Sequence, residues 1–234
     1  MKRLYVLILA VMAFAGVLNA QPGHASMRNF EVRAGYSYLL TSTGDVLGKI
    51  RTRLHGAHVG LSYNWNLMHE NWGAVSLEPG VKFSYVMDID VENEFKSMNK
   101  TSLKETYIDA PVFAKYSYRR NYFTFLGFIG PEFSAGLTST SKSFRKKYMV
   151  ECNNYTGERT IRGSREEIEV DGYHFQNYTR YDLRFAAGVG LVFVDRFSLR
   201  ASYHMGVLNR YNGVRSSYWK RRTNVVDVSL GYKF

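Results

Sequence analysis

The carboxy-terminal stretch Asn224-Val-Val-Asp-Val-Ser-Leu-Gly-Tyr-Lys-Phe234 alternates apolar and polar residues. From Val226 onward its even positions are apolar, and its odd positions from Asp227 onward are polar or small. A two-residue period predicts a β-strand with one apolar and one polar face. Soluble sandwiches contain such strands too, but an aromatic residue at the end of the strand favours the closing strand of a membrane barrel.

The same period recurs in seven earlier segments. They cover approximately residues 30–41, 54–67, 73–88, 105–118, 122–138, 180–194 and 197–207. Their connections alternate between long (Ser42–Arg53, Ile89–Lys104, Ser139–Tyr178, Arg210–Arg222) and short (Met68–Asn71, Arg119–Asn121, Asp195–Arg196). Bacterial outer-membrane barrels are built in this way. We therefore predict an all-β, eight-stranded antiparallel up-and-down transmembrane β-barrel with short periplasmic turns and long extracellular loops.

Two local features modify this pattern. Pro79 lacks an N–H group and falls inside the third strand, so we expect a bulge or a local break there. The connection Ser139–Tyr178 is too long for a structureless loop, and we expect it to contain a hairpin of its own.

The amino terminus has the pattern of an export signal. Lys2 and Arg3 precede the apolar run Leu4–Val17, and Ala20 is a small residue at the expected cleavage site. We predict a signal peptide over residues 1–20, a short periplasmic segment over 21–28 and the barrel domain over 29–234. Removal of Lys2 and Arg3 lowers the formal net charge from +11 to +9, and for an exported chain this basic balance favours contact with anionic lipid or polysaccharide.

The polar faces of the strands carry charges of both signs beside many glycines. Such a face suits a crowded polar lumen better than a solvated surface. The predicted lumen charge network consists of Glu31, Arg33, Glu78, Lys82, Glu105, Asp109, Lys115, Glu132, Asp182, Arg184, Arg200, Asp227 and Lys233. Buried charges are tolerated when they are paired, and we expect Asp182 or Asp227, on the flanking strands, to pair with Arg200.

The strand Glu105-Thr-Tyr-Ile-Asp-Ala-Pro-Val-Phe-Ala-Lys-Tyr116 resembles a characteristic strand of the PorT-like outer-membrane β-barrel family of the Bacteroidetes. The segments Gly127–Pro131 and Gly231–Phe234 resemble the same family, although Ala110 replaces a larger aliphatic residue. The resemblance implies a small barrel with the outer-membrane protein beta-barrel domain fold. A few members of that family are accessory parts of the type IX secretion machinery, so it leaves such a role open here.

Few residues suggest chemistry. His58 with Ser62, and His204 with Ser202, share a strand face as in lipid-A-modifying barrel enzymes, but that face is the predicted lumen, away from the acyl chains. His55 and His58 are three residues apart and lie on opposite faces, so they do not suggest a metal site. We expect no enzyme activity, no metal, no cofactor and no nucleic-acid binding.

Two roles remain, an interaction barrel and a small passive pore. Side chains fill the lumen of an eight-stranded barrel, and this favours the interaction barrel. We expect a monomer in the bacterial outer membrane that contacts lipid and lipopolysaccharide, and envelope or secretion-complex proteins are candidate partners. The surface-loop candidates for such contacts are Arg215, Tyr218, Trp219, Lys220 and Arg221, although Tyr218 and Trp219 also suit an interfacial aromatic belt.

Overall fold

The computed structural model describes residues 29–44, 49–70, 73–88, 100–120, 122–145, 148–162, 178–212 and 220–234. The predicted signal peptide and periplasmic segment, residues 1–28, lie outside these ranges. None of the described residues forms a helix long and apolar enough to span a membrane. The strands are β1 (Phe30–Gly44), β2 (Lys49–Tyr63), β3 (Trp65–Glu70), β4 (Gly73–Met87), β5 (Lys100–Arg120), β6 (Phe123–Arg145), β7 (Tyr148–Asn153), β8 (Arg159–Arg162), β9 (Tyr181–Phe193), β10 (Phe197–Gly206) and β11 (Lys220–Lys233).

Eight of the described strands form a closed ring in which each strand is hydrogen-bonded to two neighbours. β1 pairs with β2 on one side and with β11 on the other, so these pairings close the sheet. The order around the ring is β1, β2, β4, β5, β6, β9, β10 and β11, and every pairing is antiparallel. The predicted all-β, eight-stranded antiparallel barrel is confirmed.

The two faces of each strand have opposite environments. On β11, the side chains of Val226, Val228 and Leu230 are exposed on the outside of the ring, whereas Asp227 and Ser229 are buried inside it. The other ring strands also expose apolar residues on the outside and bury their charged residues inside, where apolar side chains such as Leu39, Phe113 and Phe128 are buried as well. A water-soluble barrel shows the reverse arrangement, so this outer surface is suited to hydrocarbon.

Exposed aromatic side chains flank the apolar outer surface at both ends of the ring. The end that carries the long connections, here called the upper end, has Tyr36, Tyr85 and Tyr203. The end with the short turns, here called the lower end, has Trp65 and Phe197 among others. We refer to these sets as the upper and lower aromatic belts, because aromatic girdles mark both interfaces of membrane barrels.

Several strands extend further at the upper end than the sequence pattern predicts. The predicted connection Ser42–Arg53 is largely strand, since β1 continues to Gly44 and β2 begins at Lys49. Part of the predicted connection Ile89–Lys104 also belongs to β5. The alternation of apolar residues ends where the apolar band ends, but backbone hydrogen bonding does not need apolar side chains. The strand ends therefore lie beyond the periodic pattern.

The predicted second strand is interrupted at Asn64, which separates β2 from β3, and residues of the predicted link Met68–Asn71 belong to β3. Opposite this interruption, the ladder to β4 has no pairing between Ser62↔Gly80 and Trp65↔Leu77. Pro79 lies in this gap and lacks an N–H group to donate. The register is the same on both sides of Pro79, so the feature is a local break and not a bulge.

The connection between β6 and β9 contains the expected hairpin. The upper part of β6 pairs with β7 from Thr140↔Asn153 to Arg145↔Tyr148, and β7 pairs in turn with β8. This small sheet continues the barrel wall above the point where β9 leaves β6 at Ala135↔Tyr181.

Candidate functional site

The lower part of the lumen is organised around one arginine. Arg200 of β10 reaches across the lumen, where its Nη1 donates to Glu78 Oε1 at 2.6 Å and its Nη2 donates to Glu31 Oε2 at 2.5 Å. Glu78 also accepts from Lys115 Nζ at 2.7 Å and lies 3.3 Å from Arg33 Nη1. These residues, here called the lower cluster, tie β1, β4, β5 and β10 together.

A second cluster, the middle cluster, lies above the first. Lys82 Nζ donates to Asp227 Oδ2 at 2.8 Å and to Glu132 Oε2 at 3.1 Å. Arg184 lies 3.2 Å from Glu132 Oε1 and 3.4 Å from both Asp109 and Asp182. Together, Lys82 and Arg184 contact four carboxylates, and each of the four is less than one tenth exposed. This pairing offsets the large desolvation cost of burying the charges.

Two histidines belong to the middle cluster. His204 Nε2 lies 2.9 Å from Ser202 Oγ and 3.3 Å from Asp227 Oδ2, and its Nδ1 lies 3.2 Å from Glu132 Oε1. His58 Nδ1 lies 2.7 Å from Ser37 Oγ. The order serine, histidine and carboxylate is that of a hydrolytic triad. His204 is only 2% exposed, however, and the group faces the lumen and not the acyl chains.

The upper mouth of the lumen holds a third cluster. Arg221 Nη2 lies 3.2 Å from Glu105 Oε1, and its guanidinium lies 3.7 Å from the ring centre of Tyr178. Arg210 is fully buried and donates to Tyr107 Oη at 2.9 Å and to Tyr155 Oη at 3.3 Å. Arg210 belongs to the segment after β10 and Tyr155 to the turn after β7, so residues from two connections cover the mouth.

The two phenols from the connections stay neutral. Burial raises the pKa of Tyr155, although nearby Arg210 acts in the opposite direction. Burial likewise raises the pKa of Tyr178, against the effect of Arg221. Neutral phenol oxygens accept hydrogen bonds from guanidinium groups without adding a buried charge.

The residues of the predicted lumen network all lie on lumen-facing positions of their strands. Their side chains are buried except for those of Arg33 and Lys233, which are intermediate. The expected partners of Arg200 are wrong, because Glu31 and Glu78 across the lumen accept its hydrogen bonds. The neighbours of Arg200 on the flanking strands are the small residues Gly190 and Ser229, which leave its long side chain free to cross the lumen.

The surface-loop prediction needs a correction at Arg221. This residue is 2% exposed and faces the lumen, because the two-residue period of β11 places it on the same face as Asp227. Arg210, predicted within the same loop, is buried as well. Lys220 is exposed at the upper end, whereas Arg215, Tyr218 and Trp219 lie outside the described residues.

Sequence reasoning missed Arg210 and Arg221 as lumen residues, although charge balance contained a signal. The predicted network holds seven carboxylates and six cations. None of these cations is paired with Glu105 on a neighbouring strand. Arg221 supplies that partner. An unpaired buried carboxylate is costly, so a missing cation could have been sought at the upper ends of the strands.

Glycines on the lumen face leave room for the long charged side chains. A Cβ atom on Gly190 would lie 3.0 Å from Arg200 Cγ, and one on Gly231 would lie 2.6 Å from Glu31 Oε1. A cavity of about 30 Å³ lies between the lower and middle clusters and is lined by Arg33, His58, Lys82 and Arg200 among others. Such a volume holds about one or two water molecules.

The ring, its apolar outer surface and its polar lumen match what is found when the sequence is compared with protein families. The family described as "Outer membrane protein beta-barrel domain" matches residues 19–212. The chain belongs to this family. Membership places the barrel in the outer membrane of a bacterium, and the apolar surface between the two aromatic belts then faces the hydrocarbon of that membrane.

Solved structures of other outer-membrane barrels are similar to this family member only in fold. Ail, the attachment invasion locus protein of Yersinia pestis, is 15% identical, with a TM-score of 0.42, 88% of this chain covered and 99% of that chain covered. OprG from Pseudomonas aeruginosa is 14% identical, with a TM-score of 0.43 and coverages of 91% and 98%. The outer membrane enzyme PagL is 8% identical, with a TM-score of 0.43 and coverages of 85% and 99%. No curated protein matches the sequence significantly.

Proposed function

We propose that this protein is a sealed, non-enzymatic barrel that serves as an outer-membrane anchor and presents its upper end to a partner in the cell envelope. One observation carries the proposal. Among the described residues, ion pairs join strands across the lumen, and a cavity of about 30 Å³ lies between the lower and middle clusters. Because the charged side chains inside such a barrel are paired with one another, its upper end is the part that is available for contacts with a partner.

A passive pore is the first alternative. Opening a path through the lumen would separate Arg200 from Glu31 and Glu78, and breaking such a buried pair costs about 3–5 kcal/mol. The test is conductance in planar bilayers with protein whose folding has been checked by its faster migration in unheated gels. We expect no steady single-channel currents from the wild type, and reproducible currents would refute the sealed barrel.

A lipid-modifying enzyme is the second alternative. Its best candidate is the group Ser202, His204 and Glu132, but Glu132 is also held by Lys82 and Arg184, and the group is buried in the lumen. Mass spectra of lipid A from cells with and without the protein should be the same. A mass change that disappears in the Ser202→Ala variant would show that this alternative is correct.

The identity of the partner is addressed by the resemblance to the PorT-like family. An accessory role in type IX secretion is the specific hypothesis that the resemblance motivates. A photo-crosslinking residue at exposed Thr160 of β8 should capture an envelope protein in native outer membranes, because β8 extends the upper end. The matched position is exposed Arg120 at the lower end. Equal capture at both positions, or none at Thr160, would remove the proposed role of the upper end.

A further inference from the structure

Exposed cations gather on the outside of the barrel, above the upper aromatic belt. Arg53 of β2 is exposed, as are Lys220 and Arg222 of β11, and β1 runs between these two strands. The ladder places Leu40 beside Arg53 and Ser42 beside Arg222. We call this surface the cationic face.

In the backbone register, two further basic residues of β2 are paired in the same rows. Ser42 of β1 is paired with Arg51 as well as with Arg222, and Gly44 is paired with Lys49 as well as with Lys220. The three stretches 38–44, 49–55 and 220–226 contain no Asp or Glu. Within the part of the chain that the structure describes, no carboxylate forms an ion pair with Arg53, Lys220 or Arg222.

The height of the cationic face follows from the length of β11. From Phe234, exposed at the lower end, to Arg222 the chain advances by twelve residues. At about 3.3 Å per residue and a tilt of about 40°, this is about 30 Å along the membrane normal. The apolar band of such barrels is about 25 Å tall. Arg222 therefore lies just above the band, at the depth of the lipid headgroups.

The side of the barrel just below the cationic face is already adapted to an interface. His55 lies two residues below Arg53 on the same face of β2, and its ring packs against Tyr38 with 4.8 Å between ring centres. Tyr36 Oη is hydrogen-bonded to His55 Nδ1. Aromatic groups with polar tips lie at the boundary between acyl chains and headgroups.

We propose that the cationic face binds the phosphorylated headgroup of a glycolipid of the outer leaflet, with the chemistry of lipid A. Guanidinium groups bind phosphate through two parallel hydrogen bonds. The face is directed sideways, towards the neighbouring lipids, and lies at the depth of their phosphates. The proposal is independent of the partner proposed for the upper end, but it does require the upper end to lie at the outer leaflet.

The binding is tested on the barrel refolded in detergent, by native mass spectrometry with diphosphoryl lipid A and with its dephosphorylated form. The wild type should bind the diphosphoryl form at least fivefold more tightly than the dephosphorylated form. The triple variant Arg53→Gln, Lys220→Gln, Arg222→Gln should lose at least fivefold in affinity for the diphosphoryl form. Its folding is verified by faster migration in unheated gels.

The matched control removes three exposed cations elsewhere, with Lys104→Gln, Arg120→Gln and Arg196→Gln. This control should bind within about twofold of the wild type. Unchanged binding by the first triple variant, or an equal loss in both variants, would overturn the proposal. Equal binding of dephosphorylated lipid would assign the contact to acyl chains, and complete displacement by millimolar inorganic phosphate would assign it to phosphate without the glycolipid.

If the triple variant does not refold, the single variants Arg53→Gln and Arg222→Gln take its place. Each should weaken binding of diphosphoryl lipid A about two- to threefold, and Lys104→Gln should not. Wild-type affinity in both single variants would refute the proposal. None of these outcomes depends on conductance or crosslinking, so this proposal and the proposed function fail separately.

Discussion

Arg221 and Arg222 are neighbours in the chain, yet their environments are opposite. Arg221 is buried in the lumen, pairs with Glu105 and covers the ring of Tyr178. Arg222 is exposed on the outside, in the cationic face. The two environments differ because the residues are one position apart on a strand, and successive side chains of a strand point to opposite faces. A cation on this barrel is therefore structural or available for binding according to its place in the two-residue period.

The largest expected effect of a single change in this comparison is at Arg200. Arg200→Met leaves Glu31 without its guanidinium partner and removes one of the partners of Glu78, so we expect a loss of about 3–5 kcal/mol in the free energy of unfolding. Arg222→Met on the outside should change it by about 0.5 kcal/mol or less. Urea unfolding in lipid vesicles measures both, and equal effects would break the comparison between lumen and outer face.

A smaller effect is expected at Arg221 itself. Arg221→Gln removes a cation from Glu105, but Ser139 Oγ still donates to that carboxylate at 2.9 Å, and Tyr107 donates as well. The expected loss is about 2 kcal/mol, the scale of a hydrogen bond to a charged group. Arg222→Gln, measured in the same vesicles, is the matched control. A larger loss for Arg222→Gln than for Arg221→Gln would reverse the assigned faces.

Gly188 and Gly127 allow the lumen and the outer surface to be compared for side-chain volume. A Cβ atom on Gly188, on the lumen side, would collide with Phe128 and would lie 2.7 Å from the carbonyl oxygen of Ala201. Gly188→Ala should therefore destabilise the barrel by about 1–2 kcal/mol. A Cβ atom on Gly127 would meet nothing within 4 Å, so Gly127→Ala should be nearly neutral. Similar unfolding midpoints for the two variants would contradict a tightly filled lumen.

The smallest effect is expected for an ion pair outside the lumen. Arg119 Nη2 lies 2.8 Å from Asp195 Oδ2 at the lower end, where both side chains are more than half exposed. Arg119→Gln should cost about 0.5 kcal/mol or less, and raising the salt concentration should remove even that difference. A salt-independent loss comparable to that of Arg200→Met would show that burial does not set the strength of these pairs.

Much of the fold could be predicted from the sequence, because each ring strand repeats the same period. The strand number, the antiparallel order and the lumen-facing positions of residues such as Glu78 and Asp227 follow from that period. The upper strand ends could not be predicted, since β5 and β6 continue through polar residues such as Lys104 and Thr140, where backbone pairing leaves no apolar pattern. The break at Pro79 was predictable because proline lacks a donor.

The pairing inside the lumen was less predictable than its composition. A strand pattern shows which neighbours are adjacent in the sheet, but Arg200 bonds to Glu31 and Glu78, which lie across the lumen and 169 and 122 residues away in sequence. The partners of such a long side chain depend on distances across the lumen, which the strand pattern does not give. Arg210 was assigned to a surface loop for a related reason, because nothing local indicates that the segment after β10 turns back over the mouth.

The distance in sequence between these partners also constrains how the protein assembles. Lys82 and Asp227 are 145 residues apart, and they meet only when the sheet has curled into a ring. Until β11 joins β1, a charge whose partner lies across the lumen, such as Asp227, has to keep its hydration shell, because the cation that would replace the water is still far away. The pairing of β11 with β1 is therefore the step at which water leaves the space between such partners. A barrel that stopped before this step would hold a water-filled cleft within the bilayer.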